Sequence, residues 1–363
     1  MRPVVCALLL LVTVRTAHAF PELAARTETP TCGSCHISPG GGGLINEYGR
    51  MEAGDSLSRG GDGRVFHGAV VPPSWLLVGG DLRAAALAYD DTDATEGTQL
   101  AAFPMQADLH LGVQHGAFTV IATGGVRGST RRYDRSDSSY VISAEHYVMF
   151  THGDLAIRAG RLFPVQGLRL PDHTLYVRRY TGTNLYEQPY ALAASYATAN
   201  VQLHAAGFVH DPVLDVGRRE AGAVVHAEVD RPTWAIATSL RFGDGDDGTR
   251  TIAGLSGHVN AGSRSVVLAE ADLIHDQVAG ATTVNQLAAL AGVDHRLAQG
   301  VQLFGWYEHY EEVLGLRTAT HHGVGAALKV YPHAHWELIL QALAQRISGA
   351  NLGLGMLQVH YYL

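Results

Sequence analysis

The chain has 363 residues, a formal charge of −8, 17% charged and 47% hydrophobic residues, 42 glycines and three cysteines. An acidic balance with no basic run excludes a nucleic-acid binder, and so few cysteines exclude a disulfide scaffold. Beyond the first residues no apolar stretch reaches the roughly 18 residues of a membrane helix, while abundant glycine with little charge suits many strands joined by tight turns.

The first element is a secretory signal over residues 1–19. Arg2 is its charged start, Val4 to Val14 its apolar stretch, and Ala17-His18-Ala19 a small-x-small cleavage site before Phe20. Cleavage would remove Cys6 and leave Cys32 and Cys35 alone. Losing Arg2 and Arg15 takes the formal charge from −8 to about −10.

Residues 20–73 form one compositional unit. It carries Cys32-Gly33-Ser34-Cys35-His36, two thiols three apart followed at once by an imidazole. This is the attachment pattern of one covalent haem c: each Cys forms a thioether to a vinyl group, and His36 binds the iron axially. A redox CxxC would want a thioredoxin-like βαβ context, which is missing. A structural zinc site would need a fourth ligand and usually a second Cys/His pair. The unit continues through Gly40-Gly41-Gly42-Gly43 and closes at Pro72-Pro73. It is too short to bury a large core, so the haem would supply much of its apolar interior. For the second axial position, Met51 and His67 are the only other Met or His before the first strand. A Met ligand would raise the reduction potential relative to His. Met51 packing on the haem edge is the alternative for that residue, and a barrel histidine facing inward is a third source of the ligand.

From Trp75 onward the pattern alternates with period two. Over 103–114, Phe103, Met105, Ala107, Leu109, Leu111 and Val113 share one face, and Pro104, Gln106, Asp108, His110, Gly112 and Gln114 the other. Residues 201–210 and 336–346 repeat the pattern. Apolar-out, polar-in strands of this length predict an all-β fold, an antiparallel transmembrane β-barrel. Sixteen such segments can be placed: 75–89, 99–114, 117–128, 139–150, 155–163, 189–197, 200–210, 220–229, 234–242, 251–260, 265–275, 283–296, 301–312, 319–331, 336–347 and 351–363. The predicted architecture is therefore a barrel of about 16 strands over 74–363 with a small N-terminal c-type haem segment. An even count puts both chain ends on one side. Short turns such as His115-Gly116 and Asp230-Arg231-Pro232 alternate with longer connections at 90–98, 129–138, 164–188, 211–219, 243–250, 276–282 and 313–318. That rhythm is the short periplasmic turn and long outside loop of outer-membrane barrels. The last strand, with Leu357, Val359, Tyr361 and Leu363 alternating to the end, resembles their terminal strand.

A barrel of this size leaves an aqueous lumen, which the 20–73 segment is small enough to enter. His110, His204, His226 and His360 fall on the polar face, where a wet lumen tolerates them without function; they could also bind iron or hold a haem propionate. Two outside loops are acidic, one with Asp90, Asp91, Asp93 and Glu96 and one with Asp244, Asp246 and Asp247. They read as solvated loops or as sites for a divalent cation such as ferrous iron. The connection 164–188 is longer than a turn requires and carries Arg178-Arg179, which would contact propionates, narrow the pore, or simply be exposed.

One resemblance rests on particular residues. Ala25-Arg26 before the haem motif, Pro39 after it, and Leu44-Ile45-Asn46-Glu47-Tyr48-Gly49-Arg50 resemble the head of the fused monohaem cytochrome c–porins of the outer membrane. Met51-Glu52-Ala53-Gly54 and Thr27-Glu28-Thr29 depart from that family's pattern. The resemblance implies an outer-membrane protein with one covalent haem, partnered by outer-membrane lipid and a periplasmic electron-transfer cytochrome. It further implies an extracellular donor, of which Fe(II) is the family's example, and so an iron oxidase or electron conduit. The rival expectation is a solute porin whose haem segment is a plug, sensor or gate. In such porins the third outside loop, here 164–188, folds into the channel.

Overall fold

A computed structural model of the chain describes residues 31–91, 97–128, 139–184, 187–212 and 218–363. The signal segment 1–19, Ala25-Arg26, Asp93 and Glu96 lie outside the described residues. Sixteen strands close into one barrel, each bonded to its neighbours in sequence and β1 bonded to β16. They are Leu76–Asp91 (β1), Gln99–His115 (β2), Phe118–Gly128 (β3), Ser139–His152 (β4), Leu155–Arg161 (β5), Tyr190–Ala197 (β6), Val201–Val209 (β7) and Glu220–Arg231 (β8). The second half comprises Trp234–Gly245 (β9), Gly248–Asn260 (β10), Ser265–Val278 (β11), Thr283–Ala298 (β12), Val301–Glu311 (β13), Thr320–Val330 (β14), Trp336–Ile347 (β15) and Ala350–Tyr362 (β16). Every predicted segment is a strand.

Alternation dictates which side chains meet lipid. Along β7, Leu203 and Val209 are exposed while Gln202, His204 and Phe208 are buried. Along β9, Ile236, Leu240 and Phe242 face out while Ala237, Ser239 and Arg241 face in. At the short-turn rim the exposed set becomes aromatic: Trp75, Phe118, Tyr196, Trp234 and Trp336. This is the interfacial girdle that anchors an outer-membrane barrel, here on the periplasmic side.

The structure corrects the sequence reading in two places. In β2 the pairing jumps from Arg83↔Gln106 to Ala84↔Pro104, leaving Met105 as a bulge. The extra residue inverts the phase, so Pro104 and Leu100 face out and Phe103 and Met105 do not share the face of Leu109 and Leu111. A proline has no N–H to give the ladder and is tolerated where a bulge interrupts it. Second, 243–250 is no loop, because β9 and β10 continue to Gly245 and Gly248 around Asp246-Asp247. Loop 164–188 does fold inward, and its Leu168, Leu170, Leu175 and Tyr176 pack on Val266, Leu268, Leu290, Phe304 and Trp306 of the far wall. Its backbone is fastened there, with Leu168 N–H donating to Glu270 Oε2 and Tyr176 N–H to Glu308 Oε2, each at 3.0 Å. Satisfied backbone donors make such a loop a fixed part of the interior.

Candidate functional site

Inside the periplasmic half of the barrel lies the segment that carries the two thiols. Cys32–Ser34 form a 3-10 turn, closed by the amides of Cys35 and His36, which donate to Cys32 O at 3.2 and 3.0 Å. The chain then reverses through the glycine run. Ile37 N–H donates to Leu44 O at 3.0 Å and Asn46 N–H to Cys35 O at 2.8 Å, and His36 pairs with Ile45 in an antiparallel bridge. Gly41 makes that reversal at φ +80°, where a Cβ would stand 3.1 and 3.3 Å from Cys32 Cβ and Sγ and 4.0 Å from His36 Cδ2. A side chain there would occupy the space beside both the thiol and the imidazole.

Asn46 ties the motif together. It caps the short helix Glu47–Glu52 (α1), its side chain accepting from Gly49 N–H at 2.8 Å. Its Nδ2 donates to Ser34 O at 2.9 Å and, more weakly, to Gly33 O and His36 O at 3.4 and 3.5 Å. One amide therefore satisfies a helix terminus and the turn between the cysteines. Gly49 is obligatory for close packing, since a Cβ would meet Cys35 O at 2.5 Å and Cys35 Cβ at 2.9 Å. Arg50 Nη1 donates to Ile45 O at 2.9 Å and Val78 O at 3.2 Å, joining the segment to β1. Physical roles thus attach to Leu44, Asn46, Gly49 and Arg50 of the Leu-x-Asn-x-aromatic-Gly-Arg stretch, Leu44 packing with Ile121, Tyr147 and Met149 of the wall.

One arginine docks the segment and a second lies near its first thiol. Arg158 of β5, 2% exposed, donates from Nη1 to Ser38 Oγ at 2.6 Å. Arg169 of the inward loop pairs with Glu228 of β8 at 2.5 Å, and it, Glu228 and Asp230 are the charged neighbours of Cys32. Below the motif, a π-helical turn Ala53–Leu57 leads the chain across the periplasmic mouth. There Arg59 N–H donates to Tyr331 O at 3.0 Å, Ala334 N–H to Gly60 O at 2.9 Å, and Gln299 Nε2 to Ser58 O at 2.9 Å. Burial, with Cys32 and Glu52 adding to it, pushes the Cys35 thiol well above its ordinary value. Cys32 and Cys35 are not joined to each other.

The other sequence candidates are scattered. Met51 is 50% exposed. His67 is at the rim, its ring 5.1 and 4.7 Å from those of His333 and His335 in the β14–β15 turn. Arg178 is spent on its own loop, donating to Leu170 O and Thr183 O, while Arg179 lies over the Tyr180 ring. The wall histidines are inward-facing as expected. His110 bonds Thr123 and Asp81, and His360 bonds Glu337 and Asp81, forming a carboxylate–imidazole chain across β15, β16, β1 and β2. Asp81, Asp108 and His110 are the one group of three among the described residues with metal-compatible spacing; none of the three belongs to the acidic outside loops. Sequence reasoning did not single out Arg158 or Arg169. An arginine on the polar face of a strand is ordinary, and only the fold shows what it meets.

No protein-family model matches the chain, and no curated protein matches it. Solved structures do. OmpT of Vibrio cholerae superposes with a TM-score of 0.61 at 10% identity, covering 81% of this chain and 100% of that one. An anion-selective porin from Comamonas acidovorans gives 0.61 at 9% identity, covering 79% and 99%. The outer-membrane channel DcaP of Acinetobacter baumannii gives 0.58 at 11% identity, covering 79% and 97%. The fold is that of the porins, and the chain is a porin-type β-barrel of the outer membrane.

Proposed function

We propose that this barrel is an electron conduit, carrying electrons between an extracellular donor and a periplasmic cytochrome by way of one haem c on Cys32 and Cys35, with His36 as an axial ligand. The observation that carries the reading is that the CxxCH segment lies within the barrel wall, fastened by Arg158 to Ser38 and by Asn46 to the turn between the cysteines. A haem hanging in the periplasm could not serve a donor beyond an apolar band about 25 Å tall. The residues present fit such a group. Both thiols are free for thioethers, Gly41 keeps any side chain from crowding Cys32 and His36, and Ile37 and Leu44 give an apolar flank. Arg158 and Arg169 supply guanidiniums of the kind that bind carboxylates. Bound haem would supply a one-electron redox centre. The protein's own part is to exclude water and fix the segment's depth. Toward the outside, Tyr180 stacks on Tyr310 at 3.8 Å.

The test is reconstitution in liposomes with a soluble acceptor inside. Haem reduction by an external donor such as ferrous iron, followed by reoxidation from within, is the expected result. A protein that external donors never reduce, while solutes leak through it, is instead a gated porin. That second reading draws on the small polar cleft lined by Arg218, Arg241 and Arg250 near the outer rim.

A further inference from the structure

The inward arc of wall facing the CxxCH segment runs over four consecutive strands. At one end β5 offers Arg158 to Ser38 at 2.6 Å. At the other β8 brings Glu228 and Asp230 beside Cys32. Between them, His204 of β7 points into the bore and is 5% exposed. It pairs across the ladder with Ser195 of β6 and His226 of β8, and its charged neighbours include Arg158, which holds the segment, and Arg169, a charged neighbour of Cys32.

Its hydrogen bonding sets it apart from the other buried histidines of the wall. His204 Nδ1 lies 2.8 Å from Ser195 Oγ, and its Nε2 has no hydrogen-bond partner among the described residues although it is buried. Neighbouring His226 is fully used, with Nδ1 on Ser239 Oγ at 2.8 Å and Nε2 on Glu228 Oε2 at 3.2 Å. His110 and His360 are equally satisfied on both nitrogens. His321 and His335 each leave Nδ1 unbonded, but they sit at the outer rim and in a periplasmic turn, with Nε2 bonded to Glu312 and to Arg64 O. A buried ring nitrogen normally finds a partner, and one that does not calls for an explanation. The Ser195 hydroxyl can accept from Nδ1–H, and in that tautomer the lone pair is on Nε2, the arrangement that protein metal sites impose on a ligating imidazole.

From this juxtaposition we infer that His204 is the second axial ligand of the haem iron, bound through Nε2 and held in orientation by Ser195. The inference rests on the haem reading above. It displaces Met51, half-exposed on α1, and His67, engaged at the rim with His333 and His335. It also means that the ligand pair joins two parts of the molecule, one imidazole from the segment and one from the barrel.

The experiment uses the full chain, exported and matured with its haem, and reads iron ligation by optical and electron paramagnetic resonance spectra. Wild type is expected to carry one covalent haem by mass and to be low-spin in the ferric state. His204→Ala is expected to lose the low-spin signal for a high-spin one, and added imidazole to restore it. Met51→Ala, His67→Ala and His258→Ala, the last on β10 beside Glu228 and Arg169, are expected to leave the spectrum unchanged. Where His204→Ala does not assemble as a heat-modifiable barrel, His204→Met is read instead. It should stay low-spin with a thioether–iron band and a raised midpoint potential. A low-spin spectrum and midpoint unmoved by either substitution overturn the assignment while leaving the haem in place. Absence of covalent haem from the wild type overturns the proposed function, and the ligand assignment with it.

Discussion

Asn46→Ala should loosen the CxxCH segment without touching the barrel. The substitution removes the cap bond to Gly49 N–H at 2.8 Å and the bond to Ser34 O at 2.9 Å. A lost N-cap costs about 1 kcal/mol, and a lost neutral hydrogen bond about the same. The contacts at 3.4 and 3.5 Å add little. The sum, about 2 kcal/mol, raises the population of the locally opened segment about 30-fold. Amide hydrogen exchange reads this directly at His36, Ile37 and Asn46, whose N–H groups bond Cys32 O, Leu44 O and Cys35 O. Exchange at those amides should accelerate by about that factor, with β-ladder amides unchanged. Asn46→Asp keeps the cap acceptor and loses the donor, so its effect should be about 5-fold. Equal acceleration in the barrel, or none at the motif, would refute the account of Asn46 as the tie between helix and turn.

Gly49→Ala forces a Cβ to within 2.5 Å of Cys35 O; the helix must lift, at a cost of about 1–3 kcal/mol, and haem incorporation measured by mass should fall. Ser38→Ala leaves the buried Arg158 Nη1 without its partner at 2.6 Å, costing about 2 kcal/mol of docking, and single-channel recordings should show more frequent openings. Glu308→Ala frees the Tyr176 amide and should raise conductance through the outer half, while the stability of the barrel toward heat in detergent changes little. Acid should weaken the seal at the periplasmic mouth. Burial holds His335 below its ordinary 6.5, against the opposing bond to Arg64 O. As pH falls through 6.5 the released ring therefore takes up a proton before the docked one, so docking is lost progressively below that value. Exchange at the Arg59 and Ala334 amides, corrected for intrinsic rate, should rise from about pH 7.5 to about pH 5.5 and stay flat in His335→Asn.

Strand identity was legible because period-two alternation is a local signal, and barrel closure follows from an even set of two-faced strands with no edge left unpaired. What escaped was set by contacts distant in sequence. The Met105 bulge depends on the register with β1, which the periodicity of 103–114 cannot reveal. The acidic stretch at 243–250 looked like a loop because Asp and Gly are turn formers, yet pairing carries both strands to Gly245 and Gly248. At the candidate site the cysteines and His36 were evident from spacing alone. Arg158 and Ser38 are 120 residues apart, and no pattern in either neighbourhood announces that they meet. The same holds for His204: its place on the polar face was readable, whereas the unused state of its Nε2 exists only once Ser195 and the segment are in place.

The filled interior bears on the envelope that would house the protein. Segment 31–68 is fastened across one mouth and the inward loop packs against the wall of the opposite half with Leu168, Leu170 and Tyr176. An open pore of this gauge admits hydrophilic toxins and antibiotics in proportion to its copy number. On the conduit reading a stoppered one does not, and a cell could then carry many copies and keep its permeability barrier intact.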